Sequence, residues 1–282
     1  MRALVLLPLL CGCATSMTHM TTPQALEPGD WQVSGAWTGH ANSVAASKSI
    51  QSGADLWERY MGEEEPGELS EDELRTLLDT GLAWALFRPG ASYEIMGRVG
   101  LTDKLAQGLD LGLRTNFSEI KGDLKLQVWE SPEARFAAAL HAGYGYHFDL
   151  TSGFVEWLSL TSFSRHDLDL AATWGWSEGR VLRLWLGPRF IRSWIRTEPK
   201  LDGMIEDNLP ATIDDYRPSD ILGDEAISYF GSTNGLMVGY RWVFLVLELD
   251  VFWMSFHPTI LDEQRTMSGL VLAPNLGLSA TW

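Results

Sequence analysis

Apolar and polar residues alternate along most of the chain from residue 31 to residue 282. In the last stretch, Leu270 to Trp282, the even positions are mostly large and apolar, whereas the odd positions are small and mostly polar. Successive side chains of a β-strand point to opposite faces, so this period of two predicts strands with one apolar and one polar face. A helix would instead need apolar residues three and four positions apart.

The alternation recurs in ten segments of the chain. The predicted strands are 31–41, 90–101, 107–117, 119–130, 134–149, 160–177, 180–195, 227–241, 242–257 and 268–282. Every second connection between them is short, and the alternate connections include two long ones, 42–89 and 196–226. An even strand count with short turns at one end is typical of a transmembrane antiparallel up-and-down β-barrel, and the predicted class is all-β. A twelve-stranded barrel stays open, with extra strands within 150–163 and 42–89.

The first long connection, 42–89, has a different pattern. Ser70-Glu71-Asp72-Glu73 forms a capping box, and Leu74, Leu77 and Leu78 then follow at helical spacing. The sequence therefore predicts a helical insert. Whether it covers the barrel from outside or plugs the lumen stays open.

The carboxy-terminal strand ends on an aromatic residue, Trp282. It resembles the closing strand of Gram-negative outer-membrane β-barrels, where this strand acts as an assembly signal. The resemblance implies a location in the outer membrane of a diderm bacterium. It also implies contact with outer-membrane lipid and lipopolysaccharide, and recognition of the Trp282 strand by the barrel-assembly machinery.

The amino-terminal residues have the pattern of a secretory signal. A positive start and a short apolar run precede Leu10-Cys11-Gly12-Cys13. The tetrad resembles the lipobox of bacterial lipoproteins, which implies that 1–12 is a signal peptide and that Cys13 carries lipid. Residues 13–30 would then form a periplasmic linker to a barrel domain at 31–282. Ordinary cleavage after Ala14 is the alternative.

The charge of the chain narrows the possible partners. The net charge is −16, which argues against binding to nucleic acid. Ten acidic and four basic residues lie in 42–89, and nine acidic and three basic residues lie in 196–226. Most of the negative charge is thus expected on two long solvated loops. Divalent-cation binding there is a weaker alternative, since the acidic residues lack a known ligand spacing.

The strand register also predicts which charged residues face the lumen. Both signs are represented, which predicts ion pairs across a largely filled interior, because about eight strands already enclose a side-chain-filled lumen and open channels need about sixteen. The predicted polar network comprises Glu94, Arg98, Asp110, Arg114, Asp123, Lys125, Asp167, Asp169, Arg183, Arg189, Arg241, Glu248 and Asp250, with Lys121 on the same face.

No catalytic, metal or cofactor site is predicted. The chain has neither a GxSxG nor an HExxH motif, and the alignment of His141, His147 and Asp149 on one strand face has a simpler explanation in a polar lumen. The predicted function is a non-enzymatic outer-membrane lipoprotein with a structural or surface-binding role. The alternatives are a narrow channel for small solutes, a barrel-borne surface hydrolase and a soluble β-rich periplasmic lipoprotein.

Overall fold

Ten antiparallel strands form a closed barrel. The computed structural model describes residues 16–44, 46–48, 50, 76, 80, 83, 90–105, 107–116, 118–147, 161–178, 181–199, 225–260 and 263–282. The strands are β1 Trp31–Asn42, β2 Gly90–Thr102, β3 Leu109–Thr115, β4 Glu119–Ser131, β5 Phe136–His147, β6 Thr161–Glu178, β7 Leu182–Pro199, β8 Glu225–Tyr240, β9 Val243–Phe256, β10 Thr259–Ile260, β11 Glu263–Gln264 and β12 Met267–Thr281. The two-residue strands β10 and β11 pair only with each other.

The barrel closes between the first and last strands. Every other barrel strand pairs with its neighbour in the sequence, β9 pairs with β12, and β12 pairs with β1. At the seam, Trp31 N donates to Trp282 O at 2.8 Å, and Trp282 N donates to Trp31 O at 3.0 Å. The predicted all-β, ten-stranded antiparallel barrel is therefore confirmed, and each predicted strand corresponds to an observed one.

The two ends of the barrel differ. The connections 103–108, 132–135, 179–181 and 241–242 are short and share one end, here called the short-turn end, with residue 31 and the carboxy terminus. The opposite end, called the long-loop end, carries the connections 43–89, 148–160, 200–224 and 257–266, and also the three-residue turn 116–118. The long connections thus lie at one end, as predicted, but that end has one short turn as well.

One predicted lumen residue lies in a turn instead. Tyr240 pairs with Val243, so Arg241 and Trp242 form a two-residue hairpin turn. Arg241 has φ 57°, as such turns require, and its side chain is exposed. The prediction that Arg241 faces the lumen is wrong, because the strand ends one residue before the alternation does.

The outer face of the barrel is apolar. Burial alternates with period two along the strands, and the exposed residues are large and hydrophobic. Examples are Ile95, Leu113 and Leu278, each about 60 % exposed. Exposed apolar surface on this scale is rare on a water-soluble monomer.

The described part of the connection after β1 is helical. Ser43, Val44, Thr76, Thr80 and Ala83 have helical backbone. Asn42 Oδ1 accepts from Val44 N at 2.8 Å, which makes Asn42 the amino-terminal cap. The predicted capping box at 70–73 lies outside the described residues. Across the part of the chain that the structure describes, no helix is long and apolar enough to span a membrane.

Candidate functional site

The lumen contains a dense network of charged side chains. Of the thirteen residues predicted for it, eleven are buried inside the barrel: Glu94, Arg98, Asp110, Arg114, Asp123, Lys125, Asp167, Asp169, Arg189, Glu248 and Asp250. Arg183 is half-buried, with its guanidinium 4.6 Å from the centre of the Phe244 ring. Arg241 is exposed in its turn, and Cys13 lies outside the described residues.

Asp169 is the centre of the network. Its carboxylate lies 2.5 Å from Lys121 Nζ, 2.7 Å from Arg189 Nη2 and 3.3 Å from Arg114 Nη2. Arg189 also reaches Asp250 at 3.3 Å. Asp169 lies on β6, and the other members of the network lie on β4, β3, β7 and β9. The ion pairs therefore connect strands that are not neighbours in the sheet.

A second group of ion pairs lies on the neighbouring wall. Arg98 pairs with Asp123, and Lys125 Nζ lies 2.7 Å from Asp110 Oδ2. Gly112 stands between the first two side chains. A Cβ at that position would come within 2.4 Å of Asp123 Oδ1 and 2.8 Å of Arg98 Nη2, so the missing side chain makes room for the pair.

The segment before β1 runs inside the barrel. Residues 16–26 are here called the lumen segment. This segment begins beside Glu119 at the long-loop end and reaches Asp110 near the short-turn end. Each residue from Ser16 to Thr22 is at most 6 % exposed. The interpretation of 13–30 as a periplasmic linker is therefore wrong for the lumen segment. The turn at Glu27, Pro28 and Gly29 is exposed.

Wall side chains bind the lumen segment mainly through its main chain. Carboxylate or amide oxygens of the wall accept from five of its N–H groups, and Arg189 and Lys125 donate to four of its carbonyls. The N–H donors are Ser16 to Glu119 (3.0 Å), His19 and Met20 to Glu248 (2.7 Å each), Ala25 to Gln127 (2.5 Å) and Leu26 to Asp110 (3.0 Å). The carbonyl acceptors are Met17 and Thr18 for Arg189, and Thr22 and Gln24 for Lys125.

Three buried glutamates depend on this segment. Of the described residues, eight buried carboxylates but six buried lysines and arginines face the lumen. Glu94, Glu119 and Glu248 form no ion pair with a described lysine or arginine, and each accepts a hydrogen bond from the lumen segment. Burying a carboxylate without a partner is costly, so the segment's donors replace the missing cations.

A histidine bridges two carboxylates at the long-loop end. His147 Nε2 lies 3.2 Å from Asp167 Oδ2 and 3.3 Å from Glu119 Oε2. Atoms bound to one zinc ion at about 2.0–2.2 Å have similar separations, so the trio has the ligand types and spacing to hold a small divalent cation. Both carboxylates also have protein partners, since Ser16 N donates to Glu119 and Arg165 Nε donates to Asp167, each at 3.0 Å.

The predicted histidine alignment is divided between two places. His141 Nε2 lies 2.8 Å from Thr173 Oγ1, and its ring contacts His19 edge-on at 4.3 Å. His147 belongs to the trio described above, and Asp149 lies outside the described residues. The arrangement gives His141 no carboxylate hydrogen-bond partner among the described residues.

The lumen wall also contains two apolar clusters that the sequence reasoning missed. Apolar residues on both faces of β7, β8 and β9 were the available signal. The cluster nearer the short turns comprises Met20, Ala36, Met96, Trp185, Met237, Phe244 and Val246. The cluster nearer the long loops comprises Met17, Val44, Ala83, Ile191, Ile195, Ile227, Tyr229, Phe252, Met254, Phe256, Met267, Val271 and Ala273. Val44 and Ala83 bring the helical insert into this second cluster.

Two charged residues of the site were also missed. Arg165 and Glu119 face the lumen. The alternation of faces would have predicted both, since Arg165 lies two positions before Asp167 and Glu119 lies two positions before Lys121. The segment partners of Glu119 could not be found in that way, because residues 16–26 have no period of two.

The comparisons with known proteins return barrels of low similarity. No protein-family model and no curated protein sequence match the chain. Neisserial surface protein A shares 8% identity over 89% of this chain and 95% of that chain, with a TM-score of 0.33. Outer membrane protein OprG from Pseudomonas aeruginosa shares 6% over 92% and 98%, with a TM-score of 0.30. Outer membrane protease OmpT from Escherichia coli shares 10% over 95% and 100%, with a TM-score of 0.32. At these values no role is transferred.

Neutralising Asp169 tests the importance of the network for stability. Asp169→Asn would leave Lys121, Arg114 and Arg189 around an uncharged group, which costs about 3–5 kcal/mol when a buried ion pair loses one partner. We expect a loss of that size in the free energy of unfolding, measured by urea titration in detergent. Asp103→Asn, in an exposed turn, is the control and should change stability by less than about 0.5 kcal/mol. Equal effects of the two substitutions would contradict the role given to Asp169.

Proposed function

We propose that the protein is a closed outer-membrane β-barrel lipoprotein with a structural or surface-binding role. The observation that carries the proposal is the occupied lumen. The barrel's own residues 16–26 fill it and are bound to its wall by nine main-chain groups. A barrel closed in this way acts through the surface that it presents, which includes the acidic loops at its long-loop end.

The outer face supports placement in a lipid bilayer. A transmembrane barrel needs an apolar band facing lipid and a polar interior, and the alternating burial of β9 and β12 has this form. The aromatic end of β12 supports recognition by the barrel-assembly machinery. Arg192 and Arg196 lie on the outward face of β7 toward its long-loop end, where they would meet the phosphates of lipopolysaccharide.

A charge at mid-strand tests the lipid-facing surface. Leu247 lies on the outer face in the middle of β9, paired with Leu236 and Leu276. Leu247→Arg should destabilise the barrel in phospholipid vesicles by about 2–4 kcal/mol, because the guanidinium would enter the bilayer midplane. Val243→Arg, at the short-turn end of the same strand, should cost about 0–1 kcal/mol. Equal costs in urea unfolding would contradict a membrane-spanning belt.

The occupied lumen predicts a barrel without conductance. Wild-type protein, shown by heat-modifiable gel migration to be folded, should give no discrete openings in a planar bilayer. A boiled sample of the same preparation controls for detergent artefacts. Steady discrete openings would contradict the closed barrel and favour the second candidate function.

The second candidate is a narrow channel for small solutes. The observation that favours it is the charged wall beneath the lumen segment, since a purely structural barrel could be filled by apolar side chains at lower electrostatic cost. In this case the segment would have to leave the lumen for solute to pass.

The lipid anchor is also part of the proposal. Two residues lie between Cys13 and Ser16, and the three steps along the chain span at most about 11 Å. Ser16 binds Glu119 at the long-loop end. A lipid on Cys13 would therefore enter the leaflet on that side of the barrel, and not the periplasmic leaflet that a free linker would allow.

Two measurements test the anchor and its side. Palmitate labelling in cells should be lost in Cys13→Ala, whereas heat-modifiable migration should be retained because the barrel holds the protein in the membrane. An epitope inserted after Ala14 should bind antibody on intact cells. Palmitate label retained in Cys13→Ala would overturn lipidation of Cys13. Antibody binding that requires permeabilised cells would overturn the placement of the lipid at the long-loop end.

A further inference from the structure

The lumen has the properties of a peptide-binding site. Nine main-chain groups of the lumen segment are bound by the wall, against three side-chain hydroxyls, those of Ser16, Thr18 and Thr21. Main-chain groups are the same in every peptide. The wall therefore recognises a peptide main chain, and only a few of its polar contacts depend on the sequence of the peptide.

Two wall side chains clamp four consecutive residues. Glu248 accepts the N–H groups of His19 and Met20, while Arg189 donates to the carbonyls of Met17 and Thr18. The barrel itself holds both groups in place. Asn275 Nδ2 donates to Glu248 at 2.9 Å, and Asp169 accepts from Arg189 at 2.7 Å and 3.0 Å. The clamp is thus oriented by contacts that do not involve the segment.

A second clamp lies toward the short-turn end. Lys125 donates to the carbonyls of Thr22 at 3.2 Å and Gln24 at 2.6 Å. Asp110 accepts from Leu26 N and lies 2.7 Å from Lys125. As for residues 17–20, one cation binds carbonyls and one carboxylate accepts from N–H, but here the cation and the carboxylate also form an ion pair with each other.

Glycines of the wall make room for the bound chain. A Cβ at Gly277 would come within 2.4 Å of Met20 Cε. A Cβ at Gly175 would come within 2.6 Å of Pro23 Cγ and also within 2.5 Å of Leu184 O in the neighbouring strand. Met20 enters the apolar cluster that contains Met96 and Trp185. Met17 enters the other apolar cluster, nearer the long loops. The groove therefore receives two methionine side chains of the segment.

We propose that the lumen is a binding site for a peptide of about eleven residues with a left-handed residue at the position of Met20, where φ is 46°. The lumen segment occupies this site as an intramolecular ligand. The ligand is recognised by its main chain and by methionine-sized side chains at the positions of Met17 and Met20. A peptide of the same chemistry added in trans takes the place of the segment once its covalent link is cut. This inference does not depend on whether the barrel conducts or carries lipid.

The experiment cuts the folded chain at its exposed turn. A protease recognition sequence is inserted between Glu27 and Pro28, where the turn closes by Asp30 N donating to Glu27 O at 2.9 Å. The full chain is folded in detergent and then cleaved. A fluorescent synthetic peptide corresponding to residues 16–27 should bind the cleaved barrel saturably, at one peptide per barrel, and should not bind the uncut barrel.

Modified peptides test recognition of the main chain. N-methylation at both His19 and Met20 removes the two donors to Glu248 and should weaken binding at least tenfold, as should Glu248→Ala in the cleaved barrel. A peptide N-methylated at Thr21 is the matched control, because none of the described wall groups accepts from that N–H. It should bind within about threefold of the unmodified peptide.

Every outcome of this experiment is decisive. Selective, N-methyl-sensitive binding supports the proposal. A cleaved barrel that unfolds on dilution and regains heat-modifiable migration with excess peptide also supports it. No uptake and no such rescue would overturn the proposal, as would equal binding of the unmodified, doubly N-methylated and scrambled peptides.

Discussion

The structure depends on one constraint, which is the compensation of charge inside a narrow barrel. Buried carboxylates outnumber buried lysines and arginines by eight to six among the described residues. Carboxylates removed from water need hydrogen-bond donors or cations. The lumen segment supplies those donors to Glu94, Glu119 and Glu248. The barrel and its amino-terminal segment are therefore parts of one electrostatic unit.

This constraint connects the filling of the lumen with the closure of the sheet. The segment leaves the lumen at residues 27–30 and continues directly into β1, whose first residue, Trp31, bonds with Trp282 at the seam. Because the lumen segment directly precedes β1, it can take its place inside before β1 and β12 pair. Threading it through a barrel that is already closed would be harder. The carboxy-terminal strand thus completes both the sheet and the enclosure of the segment.

The sequence was sufficient to predict the wall of the barrel but not its contents. A period of two determines the face of each side chain, and eleven of the thirteen predicted lumen residues are buried inside. This periodicity gave the wrong position for Arg241, because a two-residue turn replaces the last strand position. It also missed the apolar lumen clusters of β7–β9, where both faces carry apolar residues. The lumen segment has no period, and its partner Glu248 is more than 200 positions away, so no local pattern relates them.

The type of contact inside the lumen limits the roles that the barrel can have. If the segment were a permanent structural core, apolar side chains would fill the space without the desolvation cost of so many charges. The wall instead holds one cation and one carboxylate at each of two places along the segment, Arg189 and Glu248 at residues 17–20 and Lys125 and Asp110 at residues 22–26. Asn275 and Asp169 orient the first clamp from the barrel side. A wall that satisfies the hydrogen-bonding groups of a main chain is organised for a peptide, whether that peptide is covalently attached or not.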